Sequence, residues 1–204
     1  MDGNNTIINI GRQFGSGGKQ VALNIGSKLG IKVYDNELIS KAAEESGFSK
    51  DLFNFRDEKA SLFSMSTFFE SWRFGQPQNY MNDNTLFSIQ SQVIREIAEK
   101  GDAIIIGRCS DYILRDLKCL DVFITAPLEY RIARVAEREN LSEKEAEELI
   151  RRKDKTRQTY YNYFTFGSWG SADNYDICID SSLLGIEGTA EAVIDFGRKT
   201  GIIP

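Results

Sequence analysis

Five short apolar runs, Ile7 to Ile10, Lys32 to Tyr34, Ala103 to Ile106, Val122 to Thr125 and Ile177 to Ile179, recur along the chain with helix-patterned segments between them. Runs of this length and composition fit strands covered on both faces. Strands that alternate with helices are joined by crossovers, so the pattern predicts βαβ units around a parallel sheet. Pro127 suits the first turn of a helix over Leu128 to Glu139. Ser142 with Glu145 forms a capping box before a long helix that runs through Arg151 and Arg157. A last helix is expected from about Glu187 to Lys199. At 204 residues, with no internal repeat and no linker, the chain suits a single α/β domain with a substantial core.

Composition narrows the chemistry. The chain has no histidine, which removes Ser-His-Asp hydrolysis, Cys-His nucleophilic catalysis and the usual His-containing zinc sites. Phosphoryl transfer survives, because it depends on positioning and on cations around the phosphates. A net charge of −5 argues against binding nucleic acid over the whole surface, although a local basic cleft is compatible with it. No apolar stretch has the length of a membrane span, and the N-terminus lacks a signal-peptide pattern. Cys109, Cys119 and Cys178 fit neither a disulfide framework nor a C-x-x-C site, and are expected to be buried thiols of a cytoplasmic protein.

Two stretches resist the alternating scheme. Residues 61–84 hold Phe63, Phe68, Phe69, Trp72, Phe74 and Tyr80 with little periodicity, and Tyr160 to Tyr175 is rich in aromatics and glycine. Such aromatics either pack into a subdomain core or a homodimer contact, or stack on a nucleobase.

The first strand runs into the glycine cluster of "INIGRQFGSGGKQVALNIG", and a helical pattern follows with Val21, Ala22, Ile25 and Leu29 on one face. Gly15, Gly17 and Gly18 let successive backbone N–H groups turn toward one point, where the next helix adds its positive end. Three glycines within four residues exceed what a plain turn requires, so the stretch is read as a phosphate cradle. It departs from G-x-x-x-x-G-K-[ST]. Ending the pattern at Gly18-Lys19 puts Gln13 at the first glycine and Gln20 at the hydroxyl.

"GRQFGSGG", "LGIKVYDNELI", "DAIIIGRCSDYIL", "FITAPLEYRIARVAERENLSEKEAEELIRRKDKTRQTYYNYF" and "NYDICIDSS" resemble, in order, the motifs of the cytidylate kinase-like family of P-loop kinases. The resemblance covers nearly the whole chain and is weakest over residues 61–84. It implies a three-layer α/β/α P-loop kinase fold with a five-stranded parallel sheet, a helical monophosphate-binding insertion and a lid. On this reading the core is about 1–36, 101–150 and 175–204, the insertion about 37–100 and the lid about 151–174. The two irregular stretches fall where nucleoside monophosphate kinases carry their mobile subdomains.

Against the family's "DGPSGAGKGT", Gly15, Ser16 and Gly17 match "GAG", Gly18 falls on the lysine, and Gln20 on the magnesium-holding hydroxyl. The resemblance therefore implies that Gly15, Ser16, Gly17, Gly18, Lys19 and Gln20 bind the ATP phosphates, with Lys19 or Arg12 supplying the displaced charge and Ser16 a hydroxyl. Lys19 has the plain alternative of a solvated lysine in the first helical turn. "IIIGRC" resembles the family's "GRD" segment, whose arginine contacts the substrate's phosphate. Arg108 lies at a strand's C-terminal end, and its alternative is a structural ion pair. Cys109 stands at that motif's aspartate and Gly11 at the aspartate before the loop, which leaves Asp35 and Asp111 as the nearest acidic groups for a hydrated Mg2+. In the monophosphate site Asp35 matches the family's aspartate and Lys41 stands where a point charge could replace its arginine; Arg56 and Gln92 are further candidate substrate contacts, although they equally suit the exposed face of an amphipathic helix.

Asp154-Lys155-Thr156-Arg157 resembles the family's D-x-x-R segment, and Arg131 and Arg134, three apart on one helix face, resemble its upstream arginines. The implied catalytic set is Lys19, Arg131, Asp154 and Arg157, the arginines neutralising charge on the transferring group. Ion pairs with Glu137, Glu147 or Glu148 are the alternative for these arginines. The expected activity is ATP-dependent phosphoryl transfer to a small acceptor, a nucleoside monophosphate such as CMP. A nucleotide-binding module without turnover and a kinase for a non-nucleotide metabolite are the competing readings.

Overall fold

The computed structural model describes residues 5–39 and 80–204. Strands β1 (Ile7–Arg12), β2 (Lys32–Tyr34), β3 (Ala103–Ile106), β4 (Leu120–Thr125) and β5 (Ile177–Asp180) form one sheet in the order β2-β3-β1-β4-β5. Every pairing is parallel, with Ile7 beside Ala103 and Ile8 beside Leu120 setting the central register. All five apolar runs are strands, each matching its expected position to within two residues. Helices α1 (Gly18–Leu29), α2 (Tyr80–Lys100), α3 (Ser110–Ile113), α4 (Leu128–Glu139), α5 (Glu143–Thr165) and α6 (Ser181–Lys199) connect or cover the strands.

Because side chains alternate along a strand, one sheet feeds two cores. Ile8 and Ile10 of β1, Ile104 and Ile106 of β3 and Val122 and Ile124 of β4 pack against Val21, Ala22 and Ile25 of α1 and Ala190, Val193 and Ile194 of α6. On the other face, Ile7, Ala103 and Ile105 meet Ile89, Val93, Ile94 and Ile97 of α2. This is the three-layer α/β/α arrangement expected from the sequence. Val135 of α4 packs with Ala146 and Ile150 of α5 in a third, smaller cluster that includes Phe14.

Ser142 and Glu145 make the expected capping box at the start of α5. That helix runs on to Thr165, so the first third of the aromatic stretch 160–175 is helical rather than irregular. Tyr160, Tyr161, Phe164 and Trp169 pack against the α2-side core, with the Phe87 and Phe164 rings stacked 4.1 Å apart. Helix α6 starts at Ser181, earlier than expected, and breaks at Gly185, whose backbone (φ 66°, ψ −179°) is open to glycine alone. The sequence pattern over Glu187 to Lys199 corresponds to the segment after that break. Of the three cysteines, Cys109 is buried, Cys119 half-buried and Cys178 exposed. The expectation of three buried thiols fails at Cys178 because β5 is the edge strand and its side chain points outward. Among the described residues no helix is long and apolar enough to cross a membrane. The aromatics Phe63 to Phe74, with Lys41 and Arg56, lie outside the described residues.

Candidate active site

Strand β1 is central, and the chain leaves it toward β2 on one side before returning to β4 and β5 on the other. The loop after β1 therefore opens at the topological switch point, where ligands of parallel sheets bind. Gly15 (φ 85°) and Gly17 (φ 80°) are both left-handed, and Gly17 is the N-cap of α1, where among the described residues no side chain caps the helix's first amides. A Cβ on Gly17 would collide with Ile186 and stand 3.4 Å from Nη2 of Arg134, so only glycine lets the turn pass beneath these groups. The result is a helix end with amide donors and positive dipole, ready for phosphate.

The loop is held by side chains that reach it from other elements. Gln13 continues the β1–β4 ladder through its N–H to Ile124 O (3.0 Å), and its Oε1 accepts from Thr125 Oγ1 and Ala126 N. Asp154 of α5 accepts from Phe14 N at 2.7 Å and from Arg131 Nη1 at 2.6 Å. Arg131, buried, also donates to Ala126 O and Phe14 O. Ser181 Oγ donates to Ser16 O, which ties the start of α6 to the loop. Ser16 is fully buried with its hydroxyl on Gln13 O, so it does not present the free hydroxyl expected of it.

Three guanidiniums converge beside this loop. Arg157 donates to Arg12 O at 3.0 Å, and loss of hydration, with repulsion from Arg157 and Arg108 added, drives the Arg12 guanidinium well below its ordinary pKa. Burial, with Arg108 among the repelling charges, lowers Arg157 to about 10 despite Asp154 nearby. Burial likewise lowers Arg108, which lies 5.6 Å from the Tyr160 ring centre. Arg108 and Cys109 follow Gly107 in three consecutive left-handed residues, a strained turn that delivers the arginine at the end of β3. Half-buried cations that raise one another's free energy make a site for an anion of more than one charge.

Several expected residues fall elsewhere. Lys19 is 2.7 Å from Asp35, with 57% of its side chain exposed, so its ammonium ties α1 to the end of β2. Burial raises the Asp35 carboxyl, but hydrogen bonds from Lys19 and from the amides of Leu38 and Glu37 outweigh it and leave it lowered. Gln92 points to solvent from α2, while Gln90, on the opposite side of that helix, is buried and donates to Arg108 O at 3.2 Å. Only the helical phase separates the two, and the amphipathic pattern, which buries Ile89, Val93 and Ile94, was the signal that placed Gln90 inward. Arg131, expected on the phosphates, and Asp154, expected in the catalytic set, instead pair with each other and pin Phe14. Gln20 is half-buried in the first turn of α1. Asp111 accepts from Tyr161 OH at 2.6 Å, and burial pushes its carboxyl up, so it serves the α2-side core.

Among the described residues no three Cys, Asp or Glu side chains gather into a cage for a metal. Mg2+ keeps several waters and needs only one or two carboxylates beside substrate phosphates, and Asp35, close enough to act on Arg12, fits that requirement.

The model of the cytidylate kinase-like family matches residues 7–183. The cytidylate kinase of Methanopyrus kandleri is 26% identical over 187 residues, covering 86% of this chain and 84% of that protein. A solved, uncharacterised protein of Eubacterium ventriosum superposes with a TM-score of 0.72 at 28% identity, covering 93% and 96% of the two chains. Shikimate kinase of Acinetobacter baumannii shares the fold at a TM-score of 0.52 and 14% identity, covering 96% and 94%. With its loop, sheet order and arginine cluster in place, the chain belongs to the cytidylate kinase-like family.

Proposed function

We propose that this protein is a kinase that moves the γ-phosphoryl group of ATP to a small acceptor, a nucleoside monophosphate such as CMP. The observation that carries this reading is the convergence of Arg12, Arg108 and Arg157 beside the uncapped N-terminus of α1. The amides of Gly15 to Gly18 and the helix end hold the donor phosphates. Arg108, at the end of β3, takes the acceptor's phosphate as a bidentate donor. Arg157 faces the charge that spreads over the transferring group. Arg131, Asp154 and Gln13 are positioning residues that hold the loop's backbone in register. Magnesium, held through water at Asp35, would supply positive charge that neutralises the donor phosphates. The acceptor's phosphate oxygen is already anionic and needs little help from a base, which suits a chain without histidine.

A binding module without turnover is the second reading, favoured by Gln20 at the hydroxyl position and Cys109 at the acidic one. ADP formation measured against a panel of nucleoside monophosphates and small alcohols separates the two. The expected result is ADP release with at least one monophosphate, CMP foremost. Tight ATP binding with no ADP from any acceptor would sink the kinase reading, and release with an alcohol alone would move the acceptor to another metabolite class.

A further inference from the structure

Counting G-x-x-x-x-G-K with Gly17 as its second glycine puts Arg12 at the first glycine and Gly18 at the lysine. Two residues have changed places in character, and the structure shows that the two changes fit one another. A Cβ on Gly18 would stand 2.6 Å from Cβ and 3.1 Å from Cγ of Arg12. At the far end of the same side chain, a Cβ on Gly107 would collide with Nη1 of Arg12. Arg12 thus runs from the loop–helix junction to the end of β3 through space that two glycines leave vacant. The volume a lysine stem would use at Gly18 is filled by the stem of Arg12.

We infer that Arg12 does the work of the P-loop lysine, its guanidinium contacting the β- and γ-phosphates of the donor from the end of β1. The charge balance agrees with the geometry. Arg12 is half-buried beside Arg108 and Arg157, with Asp35 the acidic group acting on it. Lys19, the cation adjacent to the expected position, is mostly exposed and tied to Asp35. A guanidinium offers the phosphates a planar, bidentate fork where an ammonium offers a point charge. The inference rests on the kinase reading for its ligand, but it is readable from binding alone.

The test is calorimetric binding of ATP and of inorganic tripolyphosphate to the full chain and to R12A, K19A, R12G, G18K and the double variant R12G/G18K, with thermal melts beside each. R12A is expected to weaken both ligands roughly 10- to 100-fold, as loss of a charge-assisted contact does, and K19A to weaken them less. G18K alone is expected to melt lower than the parent chain, because its Cβ meets Arg12. R12G/G18K is expected to melt higher than G18K and to bind tripolyphosphate more tightly than R12G, since the lysine then enters vacated space. A larger loss in K19A than in R12A, or a double variant that binds no better than R12G, overturns the inference. A parent chain that binds neither ligand overturns it together with the kinase reading. A parent chain that binds ATP but releases no ADP overturns the kinase reading alone, and the ranking of the variants still decides the place of Arg12.

Discussion

Arg157 and Arg131 are both arginines set against the loop, yet they play opposite parts because their surroundings differ. Arg131 is matched by Asp154 at 2.6 Å and by two carbonyls, so its charge is compensated. Among the described residues the nearest carboxylate oxygen to Arg157 is 3.9 Å away on the same Asp154, and burial with neighbouring arginines works against its charge. Removing one partner of a buried pair strands the other, whereas removing a repelled cation costs the fold little. Asp154→Ala is therefore expected to lower stability by about 3 kcal/mol, read as a fall in the urea midpoint. Arg157→Ala is expected to leave that midpoint almost unmoved while lowering turnover far more than ATP affinity. Equal losses of turnover and affinity in Arg157→Ala would remove its transition-state role. The resemblance singled out Arg157 through the D-x-x-R segment and Arg131 as an upstream arginine, and the structure sets both beside the loop. It could not say which guanidinium Asp154 would claim, because that depends on how α4 and α5 pack.

Among the elements, the strands and the capped start of α5 were the most legible, since their signals are local. An apolar run, a capping box and a proline at a helix start each act through neighbours in sequence. Ser142 accepts from Glu145 N while the Glu145 carboxylate accepts from Ser142 N at 2.9 Å. Ser142→Ala is expected to cost about 1 kcal/mol, measured as a lower urea midpoint with unchanged slope, and a shift within error would mean that α4 packing alone sets this helix start. Less legible was α6. Its first residues carry no strong periodicity; Asp180 caps them by accepting from Ser182 N at 2.8 Å, Ser181 ties them to Ser16 O, and Ile186, just past Gly185, lies over Gly17. The extension of α5 through Tyr160 and Phe164 is likewise a packing outcome, as these rings gain Phe87 on the neighbouring helix.

At the scale of the whole molecule, the central strand pair carries a polar couple that makes stability depend on pH. Asn9 of β1 and Asp121 of β4 are register partners, and Asn9 Nδ2 donates to Asp121 Oδ1 at 2.8 Å. Burial pushes the Asp121 carboxyl up to about 6, the Asn9 hydrogen bond pulls it back, and Asp111 and Asp176 add to the rise. A carboxyl raised in the folded state binds its proton more tightly there than in the unfolded chain. Its contribution to stability is therefore complete below about pH 4 and is lost as pH rises through about 6. Asp121→Asn keeps an oxygen for Asn9 and is expected to be more stable than the parent chain at pH 8, by on the order of 1–2 kcal/mol. The gain should shrink toward pH 4 in urea titrations across that range. A difference that does not change with pH would show that Asp121 does not titrate there.

By itself the sequence determined the five strands, helices α1 and α4, the capped start of α5 and the glycine loop, because apolar periodicity, caps and left-handed glycines are properties of short stretches of chain. Only the tertiary structure decided which cations face that loop. Arg12, Arg108 and Arg157 lie far apart in sequence and meet because β1 and β3 pair in parallel and α5 packs across their ends. The exchange of arginine and glycine between positions 12 and 18 is visible as letters. Its meaning lies in the space that Gly18 and Gly107 leave along one side chain, and that space exists only when β1, β3 and α1 are in contact.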